Sequence, residues 1–389
     1  VINSALPTTQ CLTLTACPEC GGALQILPNK TPKFTPEYQQ AMITQLRDLR
    51  VDDQIGCKIA NMPNVRVSLE ASDVLQEGLD VIDPIKLDAQ AQFIQSIGNP
   101  MLFFHHYSNP LSKSDLFNNS QDIDWFANYC AQVIKKSPQV THVCPISQPV
   151  GFAFRVTSQS LPPFTITTDK KKYLQNIADA QAAAAKAMKA VKPDVKVLMS
   201  HQWKLMKPKH SYLDPRYYLE AGVCKIAHSM YNQAFVNLMK PHIDLFDGIA
   251  LSLYPPVYFN GWKPEADNCG GIIDEKSALE TIVEVRKAFP DKDIYIVETG
   301  CNTQDPAKKI EFIDMTLRVC QAARDQGIPV KSVYFWGLTN DPNFYSEWNM
   351  APGSTNFGPF DKLELENPTR SINAAGKHMQ KILKQDATV

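Results

Sequence analysis

Glu298 closes the run Tyr295-Ile296-Val297-Glu298-Thr299-Gly300, an apolar β-type stretch that ends in a carboxyl group. A carboxylate in that place can attack an electrophilic carbon or take a proton. Gln148 ends a second such run, in Ile146-Ser147-Gln148-Pro149. Its amide can donate and accept hydrogen bonds but has no proton to give near neutral pH. Of the ten cysteines, only Cys17-Pro-Glu-Cys20 has metal-like or redox-like spacing. A zinc ribbon would need a second close pair, and a thioredoxin-like site would open a helix after a strand. Cys130, Cys144, Cys224 and Cys320 lie in apolar runs and read as small core residues. No Gly-x-Ser-x-Gly elbow, phosphate-cradling glycine loop or His-Glu-x-x-His occurs. Neither a metal nor a cofactor is therefore expected. Asn29-Lys-Thr31 and Asn118-Asn-Ser120 satisfy the glycosylation pattern, which matters only in a chain secreted from a eukaryotic cell.

The elements that must position these groups alternate in type. Short β-rich runs at Val65–Ala71, Pro100–His106, Val140–Ile146, Val195–His201, Gly248–Tyr254, Asp293–Thr299 and Val330–Leu338 are separated by longer stretches of helical period. Asp124–Lys135 repeats its apolar residues at three- and four-residue steps, and Ala178–Val191 is helical on alanine content alone. Glu275–Phe289 and Ala307–Gln326 follow two of the strands, and Gly327-Ile-Pro329 stops the latter helix. Such alternation predicts an α/β fold of parallel strands joined by crossover helices. Seven strands call for an eighth, and Ala23-Leu-Gln-Ile-Leu27 is the expected first strand of a (β/α)8 barrel. Without a Gly/Ser linker, a short repeat or a low-complexity segment, residues 1–389 read as one barrel domain. Tyr254–Asp274 and Thr339–Asp361, rich in Pro and Asn, are then long loops on the C-terminal face, where barrel enzymes do their chemistry.

Composition narrows the partner. With 44% hydrophobic and 20% charged residues the chain can bury a sizeable core. Its 39 basic residues against 40 acidic ones create no field directed at nucleic acid or an acidic membrane. A neutral small molecule fits better. No run approaches the roughly 20 apolar residues of a membrane-spanning helix. The chain starts at Val1 without a basic-then-apolar leader, which leaves its localisation open. No heptad or exposed apolar stripe marks an oligomer.

In order along about 300 residues, the strand ends carry a set of motifs that resembles glycoside hydrolase family 1, the β-glucosidases. Arg66 in Val65-Arg-Val-Ser-Leu-Glu70 resembles the arginine of the family's Arg-Phe-Ser-Ile segment. The resemblance puts its positive charge beside the nucleophile. Phe104-His-His-Tyr-Ser-Asn-Pro110 is similar to Tyr-His-Trp-Asp-Leu-Pro, so His106 takes the place of a histidine that hydrogen-bonds the bound sugar. Asp247-Gly-Ile-Ala-Leu-Ser-Leu-Tyr254 resembles Asp-Phe-Ile-Gly-Ile-Asn-Tyr-Tyr, which puts the Tyr254 hydroxyl on the nucleophile. Val297-Glu-Thr-Gly-Cys-Asn302 resembles Ile-Thr-Glu-Asn-Gly and makes Glu298 that nucleophile. Tyr334-Phe-Trp-Gly-Leu338, Ser346-Glu-Trp348 and Asn356-Phe-Gly358 are similar to Tyr-Trp-Ser-Leu, Phe-Glu-Trp and Arg-Phe-Gly. They imply that Trp336 is a sugar-stacking platform and Glu347 a binder of distal hydroxyls. Gln25 is the nearest counterpart of the family's first-strand glutamine.

The chain departs from the pattern at one motif. Val143-Cys-Pro-Ile-Ser-Gln-Pro149 resembles Trp-Ile-Thr-Phe-Asn-Glu-Pro, with Ser147 for the asparagine that binds the sugar's 2-hydroxyl and Gln148 for the acid/base glutamate. That Ser147 departs as well argues against a single engineered replacement. A retaining glycosidase places two carboxyl groups about 5–5.5 Å apart, one to attack and one to protonate the departing oxygen. Loss of the acid is worth roughly 10²–10⁴ in rate, less where the leaving group is already a stable anion. Relatives with glutamine here, the plant myrosinases, use such thioglycosides. Glu70 and Asp122 are the candidate stand-ins. The expectation is a retaining β-glycosidase or transglycosidase for activated small-molecule or oligosaccharide glycosides, with a carbohydrate-binding protein that has lost turnover as the alternative.

Overall fold

A computed structural model describes the backbone of residues 12–16 and, with most of their side chains, residues 65–69, 71–76, 81–106, 116–159, 168–266, 274–337 and 372–386. The strands in chain order are β1 Leu12–Ala16, β2 Val65–Ser68, β3 Met101–Phe103, β4 His142–Cys144, β5 Lys196–Gln202, β6 Met206–Pro208, β7 Gly248–Ser252, β8 Val257–Asn260, β9 Lys263–Ala266, β10 Asp293–Thr299 and β11 Val330–Trp336. Eight of them, β1, β2, β3, β4, β5, β7, β10 and β11, pair in parallel around a closed barrel, so the fold is a (β/α)8 barrel.

Two expectations are corrected. The closing strand is β1, not Ala23–Leu27, which lies outside the described residues; Thr15 pairs with Trp336 on one side and with Arg66 on the other. Leu12-Thr-Leu-Thr-Ala16 carries the alternating pattern of a strand, and period specifies a strand better than apolar content does. Tyr254–Asp274 is not wholly loop: β8 and β9 form a hairpin that pairs with β6 into a separate three-stranded sheet after β5 and β7.

The crossover helices begin where an acid or amide can cap them. Asp83, Asn119, Asp169, Asp274 and Asp305 each accept backbone N–H bonds at the start of Pro84–Ile97, Ser120–Lys136, Lys170–Val191, Glu275–Ala288 and Pro306–Asp325. Each such cap is worth about 1 kcal/mol. Gly327, at φ +74°, ends the last of these helices in the left-handed conformation that glycine adopts freely. Among the described residues no helix is long and apolar enough to cross a membrane. The helix Arg216–His228 exposes Leu219 and Ile226 on one face, an apolar stripe where the sequence pattern predicts none.

Strand alternation sorts the side chains into two cores. Val65, Val67, Leu102, Val143, Val197, Met199, Ile249, Leu251, Ile294 and Ile296 pack outward under the helices. Met101, Phe103, Cys144, Leu198, Ala250, Tyr295, Val297 and Tyr334 fill the barrel interior. On the same inward face, toward the C-terminal ends, the residues turn polar: Arg66, Ser68, Ser200 and Ser252, all buried. Strict alternation after Tyr295 and Val297 would aim Glu298 out of the barrel. A β-bulge prevents it: Ile296 pairs with Leu251 but Glu298 with Ser252, so two residues advance on β10 for one on β7.

Candidate active site

The bulge delivers the Glu298 carboxylate, itself buried, to the mouth of the barrel. Three side chains from three other elements converge on it. Arg66 Nη1 on β2 donates to Oε2 at 2.8 Å, Tyr254 Oη just past β7 donates to Oε1 at 2.9 Å, and Gln148 Nε2 donates to Oε1 at 3.2 Å. Arg66 is wholly buried, which is costly for a cation unless it is paired and hydrogen-bonded. It also donates to the Val297 carbonyl at 3.2 Å and, more weakly, to Ser147 Oγ at 3.4 Å, while its guanidinium lies 3.9 Å from the centre of the Phe103 ring. The result is one carboxylate fixed in orientation against a permanent positive charge.

Gln148 sits where β4 gives way to the helix Pro149–Gln159. Its φ of +45° is left-handed, a conformation that costs a non-glycine residue about 1–3 kcal/mol. The surroundings hold it there. Its N–H donates to Ser200 Oγ at 3.1 Å, its carbonyl accepts from Phe152 N at 2.9 Å, and its amide nitrogen donates to Ser252 Oγ at 3.1 Å as well as to Glu298. Because a carboxylate only accepts, the amide nitrogen must face Glu298 and the amide oxygen Oε1 must turn away.

His106 lies 3.9 Å from Glu298 Oε2 through Nε2 and pairs through Nδ1 with Ser68 Oγ at 3.1 Å. Trp336, at the end of β11, meets the His106 ring edge-on at 5.7 Å. Cys144 is nearby in the interior, but burial pushes its thiol up to about 12 against the pull of Arg66, so it is no competing nucleophile.

The structure thus gathers Arg66, His106, Ser147, Gln148, Tyr254, Glu298 and Trp336 at one end of the barrel. Glu347 and Gln25 lie outside the described residues, as do Glu70, Cys17 and Cys20. Asp122 stands in the first turn of the helix Ser120–Lys136, where its N–H takes the Asn119 cap. Ser68, Ser200 and Ser252 are additions to the set singled out by sequence. Two had a signal, since Ser68 follows Arg66 by two residues and Ser252 precedes Tyr254 by two, the spacing of side chains on one face of a strand. Among the described residues no cluster of three or more His, Cys, Asp or Glu could hold a metal ion.

No family model matches the sequence, and no curated protein matches it. Solved structures do match. The family 1 β-glucosidase from Thermotoga maritima superposes with a TM-score of 0.74 at 14% identity, over 98% of this chain and 98% of that one. The fold is that of the family 1 β-glycosidases. A β-glycosidase from Pyrococcus horikoshii shares this β-glycosidase barrel, with a TM-score of 0.74 at 16% identity over 98% of this chain and 95% of that one. An AHE enzyme from Alicyclobacillus herbarius superposes with a TM-score of 0.80 at 14% identity, over 98% of this chain and 99% of that one.

Proposed function

We propose that this chain, a single barrel domain over residues 1–389, is a retaining β-glycosidase or transglycosidase that uses Glu298 as nucleophile on activated glycosides. The observation that carries this reading is the convergence of Arg66, Tyr254 and Gln148 on one buried carboxylate at the barrel mouth. Donors already aimed at Glu298 fix its direction of attack before substrate arrives. His106, Ser147 and Trp336 line the place of the bound sugar, and Glu347 joins them on the strength of its motif. In the first step a Glu298 oxygen bonds to the anomeric carbon while the bond to the leaving group breaks. The leaving group departs with the electron pair as a stable anion, because Gln148 has no proton for it. Water or a sugar hydroxyl then attacks the same carbon and displaces Glu298 as its carboxylate, the proton of the attacking hydroxyl passing to bulk water. The near balance of charge over the chain suits a neutral glycoside and neither nucleic acid nor membrane.

The same amide supports a second reading, a carbohydrate-binding protein that has kept the pocket and lost turnover. The two separate in one experiment. Incubation with 2,4-dinitrophenyl 2-deoxy-2-fluoro-β-glycosides of several sugars, followed by mass spectrometry, should find a covalent adduct on Glu298 that is absent from Glu298→Gln. Measurable sugar binding with no adduct from any of them overturns the enzyme reading in favour of the second.

A further inference from the structure

The helix Arg216–His228 buries one face and leaves the other to solvent. Val223 and Cys224 turn inward onto Val257 and Phe259 of the small sheet, with the wholly buried Glu220 on the same side. The opposite face presents Tyr218, Leu219, Gly222, Lys225 and Ile226, at helical spacings of three, four and seven, and Met230 continues it into the π-turn Ser229–Gln233. Tyr212, Leu213 and Trp262 stand out beside the start of the helix. Glu220 brings them there, because it accepts from His210 N at 3.0 Å and from Gly261 N at 2.9 Å and so ties both segments to the helix. The large apolar and aromatic side chains of this surface are 43–79% exposed.

Gly222 lies at the centre of the exposed face, and nothing stands within 4 Å of the point a Cβ on it would occupy. Glycine is among the least favourable residues inside a helix, and no close contact within the chain calls for it here. A bare backbone suits the close approach of another helix. One turn before Gly222 stand Tyr218 and Leu219, one turn after it Lys225 and Ile226. A second copy of the helix crossing antiparallel at Gly222 therefore sets each Lys225 against the other copy's Tyr218 and each Ile226 against its Leu219, and keeps the two Lys225 cations apart. The surrounding charges are neutralised within the chain: Arg216 Nη2 lies 2.7 Å from Asp214, and Lys209 Nζ 2.6 Å from Glu265. Such a rim suits a copy of itself better than the anionic surface of a membrane or nucleic acid. The apolar area exposed is on the order of 700 Å², above the roughly 300–600 Å² of an ordinary monomer's largest patch and near the 800 Å² that each partner gives to a standard interface.

We propose that this face is the interface of a homodimer, in which two copies pack the helix Arg216–His228 antiparallel across Gly222. The proposal is independent of the sugar-site reading, and either can fail without the other. Its test is analytical ultracentrifugation of the full chain as wild type, Ile226→Asp and Gly222→Ala, with melting temperatures measured on dilute samples. The wild type should show twice the chain mass at about 100 µM, since interfaces of this size hold at micromolar concentrations or below. Ile226→Asp changes an exposed residue of the single chain, so its dilute melting temperature should stay the same, but it places an unpaired charge in the contact and should raise the dissociation constant about 100-fold. Gly222→Ala acts in opposite directions on the two states. It should raise the dilute melting temperature, because alanine favours the helix, and raise the dissociation constant about 10-fold, because the added methyl groups hold the copies apart. A wild-type chain that stays monomeric at the highest concentration overturns the proposal, and its sedimentation with phosphatidylcholine vesicles would give the face to a membrane instead. A dimer that Ile226→Asp leaves intact overturns the choice of face, and a dimer that Gly222→Ala tightens overturns the crossing at Gly222.

Discussion

The two halves of the barrel mouth differ in how far they follow the β-glucosidase pattern. On the side of β2, β7 and β10, Arg66, Tyr254 and Glu298 each match the motif residue type and make direct contacts at 2.8–2.9 Å. On the side of β4 and β5, serine and glutamine replace asparagine and glutamate, and the backbone turns left-handed at Gln148. The difference teaches which half could change at little cost. A buried arginine and a buried carboxylate depend on each other, because removal of either leaves an uncompensated charge. The acid position carries no such bond. Two carboxyl groups this close would have to share a proton, whereas the amide donates to Glu298 and Ser252 without adding charge.

The comparison can be broken most directly by Gln148→Glu. If the nucleophile half is intact, a carboxyl group beside Glu298 has its ionisation disfavoured and becomes the missing acid, raising the rate on alkyl glycosides by roughly 10²–10⁴ while changing the rate on dinitrophenyl glycosides little. An equal gain on both substrate types would show that the amide had some role other than an absent acid. Next in size is Arg66→Met, which strands the buried Glu298 charge and should cost about 3–5 kcal/mol in urea denaturation. Glu298→Gln should cost a similar amount by the same measurement, since it strands the buried Arg66 cation; a clearly smaller loss would make the pair less dependent than argued. Tyr254→Phe removes one donor to the carboxylate and should slow labelling of Glu298 about 10-fold. An effect on stability rather than on rate lies on the side of β4 and β5. Burial lowers His201 to about 3, so the unfolded chain takes up a proton near its ordinary value of about 6.5 while the folded chain does not. Stability should therefore fall as pH drops from about 6.5 toward 3, and melting temperatures of His201→Gln should fall less steeply over that range. Parallel slopes would remove His201 from the account of that half.

Much of the barrel was legible because helices and strands announce themselves by period. Asp293–Thr299 has the bounds read from the sequence, and Glu275–Ala288 and Pro306–Asp325 lie within one residue of theirs. The first strand is Leu12–Ala16, where Leu-Thr alternation and not the apolar content that Ala23–Leu27 offers carries the signal. Within the site, Arg66, Tyr254 and Glu298 were legible through residue type and place at strand ends. Ser200 had no comparable signal, because it reaches Gln148 from a segment more than fifty residues away.

By itself, then, the sequence determined the alternation of strands and helices, the carboxylate at the end of β10 and the amide at the end of β4, since these follow from local period and residue identity. Only the tertiary structure decided that Glu298 faces the mouth at all. Alternation along β10 would turn it outward, and the bulge that reverses it exists as a mismatch of register between β10 and its neighbours, a property of pairing that no single strand carries.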